Sequence, residues 1–159
     1  MSEGEEMKLS KQGIDLLTER EGIRNSAYRD SKNILTIGIG HTGPEVQEDT
    51  VWTDEKVKEV FAIDVEKYEK SVDECVKVPL EQYQFDALVS FAFNCGVNAL
   101  PRGNNGAPSS ILRALNATDY VGAERAFNNW MADASVKTRR AGEREQFAGR
   151  HFVARYENV

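Results

Sequence analysis

The sequence predicts an α+β fold that is mostly helical. It has a small N-terminal β-sheet lobe and a larger helical lobe, joined by a long helix with a cleft between them. Three observations predict it. Residues 53–75 carry apolar side chains at helical spacing without interruption. The stretch Ile34-Leu35-Thr36-Ile37-Gly38-Ile39 is short, β-branched and bounded by a polar turn, as a strand is. From Leu80 onward, helical periodicities follow one another, punctuated by Gly and Pro. At 159 residues and 40% hydrophobic content the chain can bury one core or two lobes sharing one. It is taken as a single domain over 1–159, with an N-terminal lobe at about 12–70 and a helical lobe at about 71–159 plus the first helix.

Ser10 is placed to cap a helix from Lys11 to Glu21, whose Ile14, Leu17 and Glu21 recur at spacings of three and four, with Gly22 to stop it. A small sheet follows. Ile34, Thr36 and Gly38 share one strand face and Leu35, Ile37 and Ile39 the other, with Arg29 to Asn33 as the hairpin turn. Thr53 caps the long helix, with Asp54 and Glu55 in its first turn and Val57, Val60, Phe61, Val65, Tyr68, Val72 and Cys75 as its apolar stripe. A helix over Leu80 to Asn94, ended by Gly96, turns Gln84, Ala87, Leu88, Phe91 and Cys95 inward. Further helices fit Ser110 to Leu115, Tyr120 to Ala132 and Thr138 to Tyr156. Leu100 to Ser110, rich in Gly, Asn and Pro, reads as the one flexible loop.

The chemistry concentrates early. Eight residues separate Glu21 from Asp30, and five separate Asp30 from Thr36. A carboxyl that points inward at a helix C-terminus meets an apolar surround and the negative end of the helix dipole. Both disfavour its charged form, which suits Glu21 to a general acid. Asp30 lies in a polar turn with Arg29 and Lys32 beside it, which favours its ionised form. Two carboxyls in opposed environments are the equipment of glycoside hydrolysis. A Glu at a helix end and an Asp in a turn are also common for structural reasons, so the wider text has to decide.

That text resembles the phage-type lysozymes, glycoside hydrolase family 24, also called endolysins or muramidases. The first block is Glu21-Gly22, Ala27-Tyr28, Asp30 and Thr36-Ile37-Gly38-Ile39-Gly40-His41. The second is Leu80 to Gly96; the third is Ile111 to Asn116 with Asp119-Tyr120, Phe127 and Trp130; the fourth is Arg139-Arg140 with Glu143-Arg144. The resemblance runs from about Leu9 to about Phe152. It implies a lysozyme-like fold and hydrolysis of the β-1,4 bond between N-acetylmuramic acid and N-acetylglucosamine in bacterial peptidoglycan, causing host cell lysis. It makes Glu21 the general acid and Asp30 the second carboxylate, activating a water or acting as nucleophile. Thr36 then positions the water or the sugar, His41 supports the site without reacting, and Thr42, Phe93, Asn94 and Arg139 contact substrate. The inverting course is expected, because Thr36 leaves room for a water. The same scaffold also admits a lytic transglycosylase, a chitin-directed enzyme or a non-catalytic peptidoglycan-binding protein; the presence of both Glu21 and Asp30 argues against the last. The sequence departs from the family at Val136-Lys137-Thr138, where a Gly-Leu pair is usual, in its longer 100–110 loop, and in its acidity.

The net charge of -6 argues against nucleic acid as a partner and against adsorption to an anionic wall by bulk charge. Binding must come from the cleft, and a monomer is expected. Met1 to Met7 is acidic and shows no signal peptide or membrane span. Such an enzyme is made in the bacterial cytoplasm and needs a phage-encoded pore former, a holin, for release; a removable N-terminal anchor is the rival route. Cys75 and Cys95 read as buried free thiols, with a disulfide between them as the alternative, and no metal or other cofactor is implied, since Cys75, Cys95, His41 and His151 do not bring a ligand set together. Gly38-x-Gly40-x-x-Gly43 matches a dinucleotide fingerprint but opens no phosphate-binding helix, so its glycines are read as turn formers. The Arg139, Arg140 and Arg144 cluster, interleaved with Glu143 and Glu145, reads either as a salt-bridged solvent face or as a contact to stem-peptide carboxylates or to the catalytic lobe. His41 is expected to pair with an acid on the long helix, Asp73 or Glu74.

Overall fold

The first helix forms as its ends dictate. In the computed structural model, which describes residues 6–103, 105–131 and 134–149, α1 spans Lys11–Glu21. Ser10 Oγ accepts from Gly13 N at 3.0 Å, and Gly22, at φ 80°, closes the last turn by donating to the Thr18 carbonyl. A side chain at that left-handed φ is costly, so glycine ends the helix beside Glu21. Ile14 is 39% exposed, against the expectation from spacing; Leu16 and Leu17 carry the buried face instead.

Two strands follow, β1 (Arg24–Arg29) and β2 (Leu35–Gly38), antiparallel, with Tyr28 opposite Thr36 and Arg29 opposite Leu35. A bulge between Arg24 and Tyr28 shifts the register. The outer edge of β1 is covered by 50–52, through Ala27 N to the Thr50 carbonyl and Trp52 N to the Asn25 carbonyl. The expected alternation of faces holds only in part: Thr36 and Ile37 are both buried, and Ile34 lies outside the strand and is exposed.

The long helix α2 spans Asp54–Cys75, and Thr53 Oγ1 caps it by accepting from Lys56 N at 3.1 Å. Val57, Phe61, Val65 and Val72 are buried as the stripe requires; Val60, Tyr68 and Cys75 are half-buried. Next, α3 spans Gln82–Cys95, starting with a capping box between Glu81 and Gln84. Every residue from Phe85 to Ala92 is buried, so this helix is enclosed on all sides rather than along one stripe; Gln84 and Cys95, expected inward, are half-buried.

The predicted loop is partly ordered. α4 (Ala99–Arg102) occupies its start, Leu100 is buried, and the Leu100 carbonyl accepts from Ser109 N. α5 (Ser110–Asn116) is capped by Ser109 and α6 (Tyr120–Ala126) by Asp119. The helix expected to reach Ala132 instead tightens to a 3-10 turn at Phe127–Trp130. α7 spans Ala134–Ala148, starting four residues before the expected Thr138; the expected end at Tyr156, His151 and the N-terminal segment before Glu6 lie outside the described residues.

The chain divides into two compact units. One is Asp15–Glu66; the other is formed by the chain on either side of it. In the second unit Phe91 packs edge-on against Phe127 and Trp130, and Phe127 against Phe147, so α3, the 3-10 turn and α7 share one aromatic core.

Candidate active site

Glu21, Asp30, Thr36, His41 and Thr42 all fall in the Asp15–Glu66 unit. Glu21 is the last residue of α1, one turn beyond the buried Leu17, and is half-buried. Asp30 begins the turn between the strands. Its backbone N–H donates to the Ile34 carbonyl, and its own carbonyl accepts from Asn33 N, with Asn33 at φ 64°. Asn tolerates that left-handed position better than most side chains, which explains its place in the turn.

The Asp30 carboxylate is fixed by the backbone. Oδ1 accepts from Lys32 N at 2.8 Å and from Ile34 N at 2.9 Å. The cations expected to hold it do not. Arg29 instead donates to the Asn33 carbonyl and pairs with Glu48 at 2.6 Å. Oδ2 of Asp30 has no hydrogen bond among the described residues. One oxygen is therefore a structural acceptor, and the other is not engaged by the described residues.

Thr36 is 3% exposed, and its hydroxyl donates to the Ile34 carbonyl at 2.9 Å. With the proton committed, Oγ1 can act only as an acceptor. Gly38 and Gly40 sit at φ 68° and 69°, which lets the chain double back so that Ile37 and His41 exchange both backbone hydrogen bonds. A Cβ on Gly38 would meet the Trp52 ring at 3.3 Å. The glycine triplet thus serves a tight turn, as read from the sequence.

His41 is clamped at both nitrogens. Nδ1 lies 2.6 Å from Asp64 Oδ2, and Nε2 lies 3.0 Å from Glu45 Oε2. The Trp52 ring lies 5.4 Å away, centroid to centroid. Burial pulls the His41 pKa down; the hydrogen bonds and charges of Asp64 and Glu45 outweigh it, so it lies above the ordinary 6.5. The Glu45 carboxyl is lowered, chiefly by its hydrogen bond to His41. The acid on the long helix is Asp64, not Asp73 or Glu74. Asp64 falls inside the apolar stripe between Phe61, Val65 and Tyr68, and that polar intrusion was the legible signal. Glu45, four residues after His41, was overlooked.

The remaining expected contacts lie in the other unit. Phe93 is half-buried and packs on Tyr68 at 5.0 Å between ring centroids. Asn94 is exposed, and its Oδ1 accepts from Arg140 Nη2 at 2.7 Å. Thr42, in the first unit, is exposed. Arg139 is held by Glu143 at 3.0 Å and by the Ser90 carbonyl at 2.9 Å. Arg140 donates to the other oxygen of Glu143 and to the Trp130 carbonyl. Arg140 and Glu143 are 1% and 0% exposed. Arg140 and Glu143 thus form a buried ion pair rather than a solvent face, with Arg139 half-buried beside them. Arg144, half-buried, pairs with Glu124 at 3.0 Å.

Cys75 and Cys95 are free and half-buried. Burial pushes the Cys75 thiol up to about 11 and raises Cys95 as well. No cluster among the described residues has the His, Cys, Asp and Glu content to hold a metal ion.

A protein-family profile described as Phage lysozyme matches residues 18–144. The endolysin of Salmonella phage P22 is 41% identical over 128 residues, covering 78% of this chain and 84% of the relative. The endolysin of Bacillus phage B103 is 38% identical over 126 residues, and there the chain spans 46% of the relative's length. A solved lysozyme variant of phage P22 superposes with a TM-score of 0.78 at 37% identity, covering 89% of this chain and 99% of that one. The muramidase domain of SpmX from Asticaccaulis excentricus superposes with a TM-score of 0.78 at 33% identity, covering 88% of this chain and 97% of that one.

Proposed function

The chain belongs to the phage lysozyme family, and from that premise we propose that it hydrolyses the β-1,4 bond between N-acetylmuramic acid and N-acetylglucosamine in bacterial peptidoglycan. The observation that carries the reading is Asp30: two backbone N–H groups hold one oxygen, and the other is unengaged. Glu21, at the end of α1 in the same unit, supplies the acid. In this reading Glu21 protonates the leaving oxygen while Asp30 Oδ2 takes a proton from an attacking water. Thr36 Oγ1, its own proton committed to the Ile34 carbonyl, accepts the water's second hydrogen. That leaves the water's lone pair free to attack, which supports an inverting course. His41 keeps the 38–45 turn on α2 through Asp64 and touches no reacting atom. Phe93, Asn94 and Thr42 are the proposed sugar contacts. Arg139, whose donors reach Glu143 and Ser90, acts by holding α7 to α3.

The chain acts on the wall of its bacterial host as a monomer. Among the described residues no helix is long and apolar enough to cross a membrane. Release through a separate pore former is part of the same proposal. Purified peptidoglycan treated with the wild type and with Glu21→Gln tests the reading, with fragments weighed by mass spectrometry. Wild type alone should clear it, leaving reducing muramic acid ends. Anhydro ends would show a transglycosylase instead, and clearing by Glu21→Gln would remove Glu21 from the reaction.

A further inference from the structure

The unit on either side of Asp15–Glu66 holds a cavity of about 480 Å³ that the proposed reaction does not use. Lys67, Lys70, Ser71 and Glu74 line one wall, and their spacing places them on one face of α2. Asn98 and Arg102, at the two ends of α4, line the other. Ser71 Oγ ties the walls together by donating to the Val97 carbonyl at 2.8 Å.

Three lining side chains are cations, and only Glu74 opposes them. Neither Lys67, Lys70 nor Arg102 has an ion pair among the described residues. Lys67 lies instead 5.2 Å over the Tyr68 ring. In a chain of net charge -6, unneutralised cations gathered on one concavity run against the bulk composition. A concave wall focuses their potential, and the Asn98 amide adds a neutral donor.

We propose that this cavity is a second binding site, separate from the reaction, for an oxyanion group carried by the wall polymer. The oxyanion chemistry stands on the cavity; the choice of polymer rests on the lysozyme reading. Two groups on a wall share that chemistry: stem-peptide carboxylates, and phosphodiesters of wall-attached polymers.

Cys75 lines the cavity and Cys95 does not, so one thiol reports on the site and the other is an internal control. Iodoacetamide labelling of the whole protein is followed at each cysteine by mass spectrometry, with inorganic phosphate or acetate added at constant ionic strength. Saturating protection of Cys75 with no change at Cys95 is expected. The Lys70→Gln/Arg102→Gln variant should need about tenfold more phosphate for the same protection. No protection, or equal protection in the variant, overturns the site.

Retention on purified walls then separates the sources. Loss of retention after phosphodiester polymers are stripped assigns the phosphate; loss after wall carboxylates are amidated assigns the stem. Unchanged retention on both overturns the proposal. Cleavage of a soluble, peptide-free glycan should be equal in wild type and the double variant, and a lower kcat in the variant would also overturn it. Absence of cleavage by the wild type would sink the lysozyme reading while leaving phosphate protection intact.

Discussion

The Asp15–Glu66 unit and the helical remainder handle their charged groups in opposite ways. In the first, Glu21 and Asp30 are half-buried, and Asp30 is held by backbone N–H groups of a short turn. In the second, Arg140 and Glu143 are fully buried, and Glu143 takes up Arg139, Arg140 and the Ser90 hydroxyl. A carboxylate oxygen left open can do chemistry and contributes little to folding. A buried carboxylate with both oxygens engaged holds helices together and is poorly placed to react. The difference predicts that activity and stability separate by unit.

The largest effect should come from Glu21→Gln. It removes the proposed proton donor at nearly constant shape, so turnover on peptidoglycan should fall by at least about 10²–10⁴-fold. The thermal midpoint should stay unchanged or rise, since no partly buried carboxyl remains to be desolvated. Calorimetry beside turbidity assays checks both. A large drop in midpoint would mean that Glu21 is structural and the contrast between units is false.

Asp30→Asn sharpens the same contrast. The amide oxygen still accepts from Lys32 N and Ile34 N, so the turn persists. The charge and the basic second oxygen are gone, and turnover should drop by about 10²-fold or more. If Asp30→Ala and Asp30→Asn lose activity equally while only Ala lowers the midpoint, the two oxygens have the separate duties assigned to them.

Glu143→Gln should do the reverse. The buried Arg140 guanidinium would lose the charge of its Glu143 partner, at a cost of about 3–5 kcal/mol. That corresponds to a fall of about 6–20 °C in the thermal midpoint for a chain of this size. Well below the new midpoint, kcat per folded molecule should be near that of wild type. A loss of kcat larger than the loss of folded protein would place this network in the reaction after all.

The same contrast explains what could be read from the sequence. Caps and stops are local, and Ser10, Gly22, Thr53 and Gly96 are placed as their neighbours demand. Glu21, Asp30 and Thr36 could be singled out as candidates because they lie within one short stretch of chain. Partners far apart in sequence were not. Ser90 and Glu143 meet across 53 residues, and nothing in a charged helical text tells a solvent face from a buried network. The enclosure of α3 was missed for a related reason: Asp86 and Ser90 broke an apolar run, and their partners Ser10 and Glu143 lie far along the chain. For His41 the helix was right and the turn wrong, because the hairpin's bulge and the Gly38–Gly40 turn set where its ring lands.

The smallest effect expected is a pH dependence of stability from the His41 clamp. His41 has a folded pKa above 6.5, so its contribution is complete below 6.5 and is lost as pH rises through the raised value. Glu45 has a folded pKa below 4.5, so its contribution is complete above 4.5 and is lost as pH falls through the lowered value. The two overlap between 4.5 and 6.5, where the protonated ring faces two carboxylates. Glu45 is exposed and screened by solvent, so the Asp64 side should dominate. His41→Asn keeps one donor but cannot charge. Its thermal midpoint should fall about 2–4 °C below wild type at pH 5.5, if about 1 kcal/mol is lost, and the gap should narrow as pH rises through the raised value. A gap that is constant with pH would mean that the ring acts through packing on Trp52 rather than through its charge. Glycan turnover should be nearly indifferent to the substitution when the protein is folded, because the proposed mechanism gives His41 the turn to hold and no reacting atom to touch.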